Sequence, residues 1–408
     1  MHTVIVVGGG AAGMFAAYSA ATCGRQNRVI LIEKNEKLGK KMFISGKGRC
    51  NFTNDCEVEE FFKNVVSNPK FVYGSLYSFS PENVMDFFVS HGLKIKTERG
   101  NRVFPLSDKS SDVIRTLEKA LESGGVRVKL SERVTSLIID SGVCVGVKTE
   151  KGEYKADKVI VATGGVSYKL TGATSDGYKF AQSAGHSIVA PVPALAPINT
   201  KFGYRKLAGL SLKNVAFKVE FNGKPIVSEF GEMLFTHEGV SGPIVLTASS
   251  KINRYPVDKL KAFIDFKPAL DFDQLDKRII RDFDEAPTKQ LKNAFDKLLP
   301  SRMIDAFIDK LMLDKYKKVS EVSRAERQSI VKIMKNFPLD ELRFAPIDQA
   351  IVTAGGVCVK EVDPSTMQSK LCKNLYFAGE VLDIDALTGG FNIQLAFSTG
   401  NAAGISDK

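Results

Sequence analysis

Residues 3–13 read Thr-Val-Ile-Val-Val-Gly-Gly-Gly-Ala-Ala-Gly, and this stretch decides the fold of the first part of the chain. Its apolar run predicts a buried parallel strand, and the alanine-rich residues 11–22 predict a helix directly after it. In the glycine motif between them, Gly8 permits a tight turn, Gly10 lets a phosphate approach the backbone, and Gly13 lets the helix pack closely on the sheet. We therefore place a dinucleotide's pyrophosphate at the helix N-terminus, beside Ala12.

Glu33 ends a second apolar stretch, residues 28–33, which predicts another buried strand. A carboxylate at this point can accept hydrogen bonds from the ribose hydroxyls of the adenosine, and it would repel a 2′-phosphate. The strand, the helix and Glu33 together make the glycine motif a strong sign of dinucleotide binding, although they do not separate FAD from NAD.

Two later segments favour FAD. Residues 157–165 form a strand that runs into Ala162-Thr163-Gly164, which resembles the Ala-Thr-Gly segment of many flavoproteins. Residues 374–380 form a strand that ends in Gly379-Glu380, with Asp383 close by. This segment resembles the late FAD segment in which an acidic residue meets the ribityl or phosphate region. All of these segments follow parallel strands, where open α/β sheets bind their ligands.

The C-terminal residues 388–404 predict a turn at Gly389 and Gly390 that leads into a helix beginning near Asn392. The N-terminus of this helix, with Phe391 and Ile393, would stabilise the negative charge that develops on the flavin pyrimidine during reduction. A helix that only covers the sheet is the alternative, because helices commonly do so.

Residues 33–54 resemble the signature of a bacterial flavoprotein family, in particular Ser-Gly-Lys-Gly-Arg-Cys-Asn at residues 45–51. Members are labelled NAD(P)/FAD-dependent oxidoreductases or aminoacetone-oxidase-family FAD-binding enzymes, and one branch carries a bile-acid 3-dehydro-Δ4,6-reductase label. The similarity continues through residues 163–167, 234–243, 352–357, 365–370 and 378–392. Two departures are minor: Lys47 stands where many relatives have Gly, and Phe391 where many have Tyr.

Within this frame, we expect the 45–51 loop to lie against the ribityl chain and the flavin ring, with backbone N–H groups directed at flavin oxygens. The loop residues assigned to the cofactor are Ser45, Gly46, Gly48, Arg49, Cys50 and Asn51, and Lys34, Lys41 and Val134 complete the assignment. Arg49 is also a candidate catalytic residue that would stabilise a flavin anion or a substrate carboxylate. Cys50 is a candidate redox thiol, but no CxxC partner is present, which favours a structural role.

His237 is the second candidate catalytic residue. It lies in Thr236-His237-Glu238, at the start of a loop that could close over the flavin. An imidazole can protonate a substrate carbon or oxygen during hydride transfer. A histidine that only fastens the loop is an equal alternative.

The resemblance implies an α/β fold in which a Rossmann-type FAD-binding domain is interrupted by a β-barrel-like domain and a small helical insert. The sequence texture agrees with this organisation. We expect an FAD-binding domain over residues 1–190, a β-rich substrate or cap domain over 191–270, a helical insert over 271–337 and a return to the FAD-binding domain over 338–408. Pro191, Pro193 and Pro197 predict a linker at the first boundary.

Composition limits the classes of protein and of site that this chain can represent. The chain has 408 residues and a formal net charge of +11. Its densest basic cluster, residues 34–49, is either a solvated face or, as we favour, a means of attracting the cofactor's phosphates. The six scattered cysteines and four histidines predict neither disulfides nor a metal site. No apolar run is long enough to span a membrane, and the chain start does not resemble a signal peptide, so we expect a cytoplasmic protein.

The leading hypothesis is an oxidoreductase in which the N5 position of FAD exchanges a hydride with a small organic substrate held between domains. NAD(P)H is the expected reductant, although no second glycine motif is present. Two alternatives stay open: the enzyme oxidises a substrate with O2 as the electron acceptor, or a partner protein supplies the electrons. An RNA-associated flavoprotein is an alternative because the chain is basic, but no RNA-binding module is visible, so nucleic acid is not an expected partner. A non-catalytic FAD-binding regulatory protein is the third hypothesis. The substrate and the oligomeric state cannot be inferred from the sequence.

Overall fold

A computed structural model describes residues 2–24, 26–201 and 204–406. Its strands are β1 (His2–Val7), β2 (Asn27–Ile32), β3 (Thr53–Asn54), β4 (Val65–Ser67), β5 (Ile95–Glu98), β6 (Arg102–Pro105), β7 (Arg127–Lys129), β8 (Val134–Asp140), β9 (Val143–Thr149), β10 (Gly152–Lys155), β11 (Lys158–Val161), β12 (Ile188–Ala194), β13 (Ile198–Thr200), β14 (Ser211–Phe221), β15 (Lys224–Phe235), β16 (Gly239–Ser241), β17 (Leu260–Asp265), β18 (Phe337–Pro338), β19 (Leu342–Phe344), β20 (Val352–Val357), β21 (Leu375–Phe377) and β22 (Asp385–Ala386).

The α-helices are α1 (Ala11–Thr22), α2 (Lys40–Gly48), α3 (Val58–Phe62), α4 (Tyr73–Ser78), α5 (Pro81–Ser90), α6 (Ser110–Ser123), α7 (Asp176–Ser183), α8 (Pro243–Ile252), α9 (Phe272–Asp284), α10 (Leu291–Ala294), α11 (Ser301–Leu311), α12 (Arg324–Lys335) and α13 (Phe391–Ile405). The chain forms two compact units, residues 1–194 with 347–408 and residues 195–346. The helices α9 to α12 belong to the second unit together with its strands. The predicted domain boundaries stay predictions.

A five-stranded parallel sheet in the order β21-β11-β1-β2-β7 forms the centre of the first unit. Its central strands are buried along the apolar runs predicted from the sequence, since Val4 to Val6 and Val159 to Val161 are fully buried. A separate three-stranded antiparallel sheet has the order β10-β9-β8. The Rossmann-type fold is therefore confirmed.

The first and last helices, α1 and α13, pack directly on each other. A Cβ atom added at Gly400 would lie 2.5 Å from the carbonyl oxygen of Ala12, and one added at Gly404 would lie 2.6 Å from that of Ala16. Because these distances leave no space for a side chain, the glycines permit the close crossing. The two ends of the chain thus build one layer over the parallel sheet.

The predicted proline linker is wrong in part. Pro191 and Pro193 lie in strand β12, which pairs antiparallel with β20. The pairing register shifts between Val189 and Val192, around Pro191. Proline lacks the N–H that a central strand needs, but a two-stranded edge with a bulge tolerates it.

The second unit contains a seven-stranded antiparallel sheet in the order β18-β17-β14-β15-β16-β13-β19. Its strands and the helices α9 to α12 share one hydrophobic core. Fully buried phenylalanines from both kinds of element form its centre: Phe217, Phe235, Phe295, Phe307 and Phe337. The second unit thus contains both strands and helices, as the β-rich and helical textures of the sequence predict.

Candidate active site

The Gly8–Gly13 turn joins β1 to α1 at the carboxyl edge of the parallel sheet. Gly8 has a φ of +107°, and a Cβ there would lie 2.6 Å from the carbonyl oxygen of Ala162. A Cβ at Gly13 would lie 1.8 Å from the carbonyl oxygen of Gly8. Gly10, in contrast, has no heavy atom within 4 Å of its ideal Cβ position. Two glycines are therefore needed for packing, and the third borders open space.

The open space at Gly10 adjoins the first turn of α1, which no side chain caps. Unpaired N–H groups at a helix N-terminus bind phosphate well, so this turn fits a pyrophosphate. In the described part of the chain, the buried side-chain atoms without a hydrogen-bond partner include Thr163 Oγ1, Asn51 Oδ1 and the Tyr178 hydroxyl oxygen. Leaving such atoms unpaired costs about 1–3 kcal/mol each, and a cofactor rich in polar groups can supply partners. The residues present therefore fit FAD.

Glu33 lies directly after β2, and its side chain is buried. One carboxylate oxygen accepts a hydrogen bond from the Gly9 N–H at 2.6 Å. The other accepts from the backbone N–H and the side-chain amide of Asn35, at 2.8 and 2.7 Å. Glu33 thus fixes the glycine turn, while the oxygen that accepts from Gly9 keeps a lone pair that could meet a ribose hydroxyl. Its contact with ribose stays a prediction.

The predicted basic cluster is not a uniform solvated face. Lys34 Nζ donates to Thr174 Oγ1 at 2.8 Å, and burial lowers the pKa of Lys34. Lys40 pairs with Glu36 at 2.8 Å. Val134, the first residue of β8, follows Arg133 in the sequence and is buried. Several of these lysines are thus tied to neighbours along the same edge of the sheet.

Three segments of this edge meet at Lys41. Its ammonium contacts both carboxylate oxygens of Glu380, at 2.7 and 2.9 Å, and donates to Ser167 Oγ at 2.8 Å. Glu380 follows β21, and Ser167 follows β11 and the Ala162–Gly164 segment. Gly164, with a φ of +73°, has open space around its Cβ position, whereas a Cβ at Gly379 would lie 2.6 Å from that of Ala12. The structure brings the predicted Ala-Thr-Gly and Gly-Glu segments together beside α1.

Asp383 lies slightly further along the same segment. Its carboxylate and its backbone carbonyl both accept hydrogen bonds from the side-chain amide of Asn68, at 3.0 and 2.7 Å. Burial raises the pKa of Tyr178, and the nearby carboxylates of Glu380 and Asp383 raise it further. The unpaired Tyr178 hydroxyl therefore lies close to both predicted acidic residues.

The Ser45–Asn51 loop leaves the helical conformation inside the span of α2. Gly46, Lys47, Gly48 and Cys50 all have φ between +56° and +82°. The Cys50 thiol is fully buried, and burial raises its pKa to about 12. A buried thiol that stays protonated is a poor nucleophile, so the contacts favour the structural role of Cys50.

Arg49 projects from this loop into an ion network. Its guanidinium contacts Glu98 at 2.8 Å and Asp108 at 3.1 Å, and it lies 4.1 Å from the centre of the Phe104 ring. Lys96 also contacts Asp108, at 2.6 Å. These partners hold the loop against the hairpin of β5 and β6, and they already compensate the charge of Arg49.

The start of α13 is close to where the sequence placed it, since the helix begins at Phe391. Gly390 has a φ of +98°, and a Cβ there would lie 2.3 Å from the carbonyl oxygen of Thr53 and 3.0 Å from Asn51 Oδ1. Asn392 exchanges hydrogen bonds with Ala386 at 2.9 and 2.7 Å, Phe391 packs on Phe61, and Ile393 is half-buried. The turn before α13 therefore lies beside the 45–51 loop.

His237 lies in the second unit, in the turn between β15 and β16, and it is exposed. The Thr236 N–H donates to the Gly239 carbonyl at 2.8 Å, and the Gly239 N–H donates to Thr236 Oγ1 at 3.0 Å. This turn is fixed without the imidazole. The catalytic role of His237 stays a prediction.

Sequence reasoning missed several residues at this edge: Gly165, Ser167, Thr353 and Tyr178. Thr353 Oγ1 accepts from the N–H groups of Val166 and Ser167, and its own N–H donates to Glu380 at 2.8 Å. The Thr-Ala-Gly-Gly segment at residues 353–356 could have been found from its neighbouring glycines, because such glycines indicate that another backbone approaches closely. No sequence pattern around Tyr178 indicates a place in the site.

Within residues 2–24, 26–201 and 204–406, no group of three or more His, Cys, Asp or Glu side chains could hold a metal ion. Within the same residues, no helix combines the length and apolar character that crossing a membrane requires.

The chain matches the family model described as "HI0933-like protein Rossmann domain" over residues 2–406. It is 31% identical to the 3-dehydro-bile acid delta(4,6)-reductase of Clostridium scindens, a match that covers 99% of this chain and 98% of that protein. It is 27% identical to the ribosomal RNA dihydrouridine synthase of Haemophilus influenzae, over 98% of this chain and 97% of that protein. A solved flavocytochrome c3 fumarate reductase in its open conformation shares the fold, with a TM-score of 0.52 at 20% identity over 99% of this chain and 77% of that chain.

Proposed function

Because the chain belongs to the HI0933-like family of FAD-dependent oxidoreductases, we propose that it reduces a carbon–carbon double bond conjugated to a carbonyl group, with NAD(P)H as the electron donor. The observation that carries this proposal is the chemistry shared by two relatives that match nearly the whole chain. A 3-dehydro-Δ4,6 compound contains an enone, and dihydrouridine is uridine with two hydrogens added across the double bond next to a ring carbonyl. Both names describe the same kind of reduction.

In this function, the chemistry that bound FAD would supply is hydride transfer to the carbon β to the carbonyl. The first turn of α1 at Gly10 would hold the pyrophosphate, and Glu33 would hold the adenosine ribose. The N-terminus of α13 would place its partial positive charge near the flavin pyrimidine. Arg49 would act as a positioning residue, since Glu98 and Asp108 already bind its guanidinium.

The proton that completes the reduction has to reach the carbon α to the carbonyl, or the carbonyl oxygen first. We assign its delivery to His237, whose exposed imidazole is available for proton exchange with solvent. The His237→Ala variant should retain FAD and its unfolding temperature, while substrate turnover falls roughly a hundredfold. Flavin reduction by NAD(P)H should change much less, because that half-reaction needs no proton for the substrate. Unchanged turnover would assign the proton to water or to another group.

An anaerobic titration tests the donor and the acceptor in sequence. NADH and NADPH are added separately to the yellow protein while the flavin absorbance band is followed, and one of them should bleach it. A 3-oxo-Δ4,6 bile acid or a simpler cyclic enone should then restore the band, and mass spectrometry should detect a product heavier by two hydrogens. Restoration of the band by O2 but by no unsaturated carbonyl compound would contradict the proposal.

A uracil base within RNA is the second candidate substrate, and one surface of the second unit favours it. This surface, the Tyr316 patch, consists of two paired segments that carry the exposed Tyr316 and five lysines: Lys289, Lys292, Lys315, Lys317 and Lys318. Two of these, Lys289 and Lys317, form ion pairs with Asp296 and Glu326. The ammonium groups of Lys292 and Lys315 lie 4.6 and 5.4 Å from the ring centre. Residues 195–346 hold 27 Lys and Arg against 20 Asp and Glu. Lysines beside an exposed aromatic ring suit phosphates and a stacked base.

Salt-dependent retention of ribosomal RNA separates the two candidates. Tyr316→Ala and the double change of Lys292 and Lys315 to Ala should weaken RNA retention while reduction of a free enone continues unchanged. If RNA is not retained at low salt, or if both variants bind it as the wild type does, the small-molecule substrate alone stands.

A further inference from the structure

The Lys41 ammonium lies where the ends of several parallel strands come together. Lys41 is in the first turn of α2, and the N–H of the preceding Gly39 donates to the Gly9 carbonyl at 2.9 Å, which anchors α2 to the glycine turn. Ser167 reaches the ammonium from the segment after β11, and Glu380 reaches it from the segment after β21. The position of the Lys41 ammonium is therefore fixed both by the backbone anchor of α2 and by its contacts with Ser167 and Glu380.

Glu380 is held more firmly than its partner. Its Oε1 atom accepts from the Thr353 N–H at 2.8 Å, and a Cβ added at Gly165 would lie 2.8 Å from the same oxygen. The side chain of Glu380 is 19% exposed, whereas that of Lys41 is 33% exposed. The carboxylate thus faces the protein, and the ammonium is the more open member of the pair.

The strand order indicates which half of the cofactor the ammonium would meet. Glu33, at the end of β2, marks the expected adenosine side, and Glu380 follows β21, three strands away in the order β21-β11-β1-β2. At about 4.8 Å per strand, the two carboxylates lie at strand ends about 14 Å apart. A dinucleotide whose pyrophosphate meets α1 between them extends its flavin half towards Glu380.

We propose that the Lys41–Glu380 pair tunes the reduction potential of the bound flavin: Glu380 and Ser167 hold the Lys41 ammonium so that it donates a hydrogen bond to the flavin ring system. Reduction adds negative charge to the ring, and a nearby ammonium stabilises that charge. Glu380 orients the ammonium and offsets part of its field. The two members therefore act on the potential in opposite directions, and this proposal does not depend on which substrate the enzyme reduces.

The midpoint potential of the flavin, measured with a chemical reductant and a reference dye, tests this inference without any substrate. Lys41→Met should make the potential more negative, lowering the ratio of reduced to oxidised flavin about tenfold at a fixed poise, or about 30 mV for a two-electron couple. Glu380→Gln should make it more positive, because the ammonium is then uncompensated. Lys41→Arg, which keeps the charge, should stay close to the wild type. FAD affinity and unfolding temperature are measured on the same samples.

Shifts of the same sign in Lys41→Met and Glu380→Gln, or no shift in either, would overturn the inference and leave the pair as a structural link. Weaker FAD binding at an unchanged potential would place the ammonium on the pyrophosphate instead, which also overturns it. If Lys41→Met does not fold, Lys41→Gln replaces it, and a potential that does not become more negative in that variant overturns the inference.

Discussion

The Gly8–Gly13 turn and the Ser45–Asn51 loop are both glycine-rich parts of the cofactor site, yet they need glycine for different reasons. In the turn, glycine provides space, because a Cβ at Gly13 would meet the Gly8 carbonyl oxygen at 1.8 Å. In the loop, glycine provides backbone freedom: Gly48 has a φ of +82° and no heavy atom within 4 Å of its Cβ position.

The difference predicts how each region responds to change. The turn is fixed by close contacts between backbone atoms and by the buried Glu33 carboxylate, which accepts from the Gly9 N–H. The loop takes up left-handed conformations even at Lys47 and Cys50, and side-chain ion pairs of Arg49 hold it in place. Strained backbone of this kind persists only where neighbouring contacts enforce it. The loop should therefore be the adjustable part of the site.

The largest effect is expected from Gly13→Ala. Its added methyl group cannot be accommodated without moving α1 away from the glycine turn, since the obstructing atom belongs to the backbone. We expect the protein to lose FAD and to unfold at a clearly lower temperature, as followed by thermal denaturation with and without added FAD. A yellow variant of normal stability would show that the turn has more space than its contacts indicate.

Gly10→Val is the matched control with the opposite expectation for the fold. Its side chain enters open space, so the apoprotein should unfold at the wild-type temperature. That space is where the pyrophosphate is expected, so FAD binding, measured by quenching of flavin fluorescence, should be lost. Equal losses of stability in both variants would remove the distinction between packing and binding glycines.

The loop is tested by Arg49→Met, and the effect should depend on pH. Arg49 lowers the pKa of Glu98, and Lys96 and then Arg49 lower the pKa of Asp108. A carboxyl group with a lowered folded pKa contributes stability above its ordinary pKa of about 4, and loses it as the pH falls through the folded value. The variant should unfold at a lower temperature than the wild type at pH 7, and the gap should close on acidification below about pH 4. A gap independent of pH would assign the effect to packing on Phe104.

The smallest effect is expected from Lys47→Gly. Lys47 has a φ of +59°, a backbone conformation that glycine adopts more easily. Glycine removes this strain but also gives the unfolded chain more conformational entropy, and the net gain in the free energy of unfolding should be about 0.5–1 kcal/mol. The variant should be slightly more stable in a denaturant titration. Lys47→Ala, which removes the side chain without relieving the backbone, should show no such gain.

Much of the first unit followed from the sequence because its signals are local. The apolar runs of β1, β2 and β11 and the alanine-rich α1 each determine an element through neighbouring residues. The glycine spacing and Glu33 then located the carboxyl edge of the sheet. The antiparallel strands and the helices of the second unit followed from the same kinds of pattern.

Contacts between distant segments could not be predicted in this way. No local pattern joins Lys41 to Glu380, which lies 339 residues further along the chain, or Arg49 to Glu98. Arg49 was expected to act on an anion from its charge alone, and only its three-dimensional partners suggest a positioning role. Pro191 and Pro193 indicated a linker because proline usually interrupts strands, whereas an edge pairing with a register shift accommodates them.

Identification of the cofactor released from the purified protein tests the central claim most directly. The glycine turn and Glu33 are arranged for a pyrophosphate and an adenosine ribose, so heat release followed by mass spectrometry should yield FAD, about one per chain. Gly10→Val prepared in parallel should yield none. Release of FMN, or a colourless wild-type protein that binds no added FAD, would contradict the assignment of this edge of the sheet to FAD.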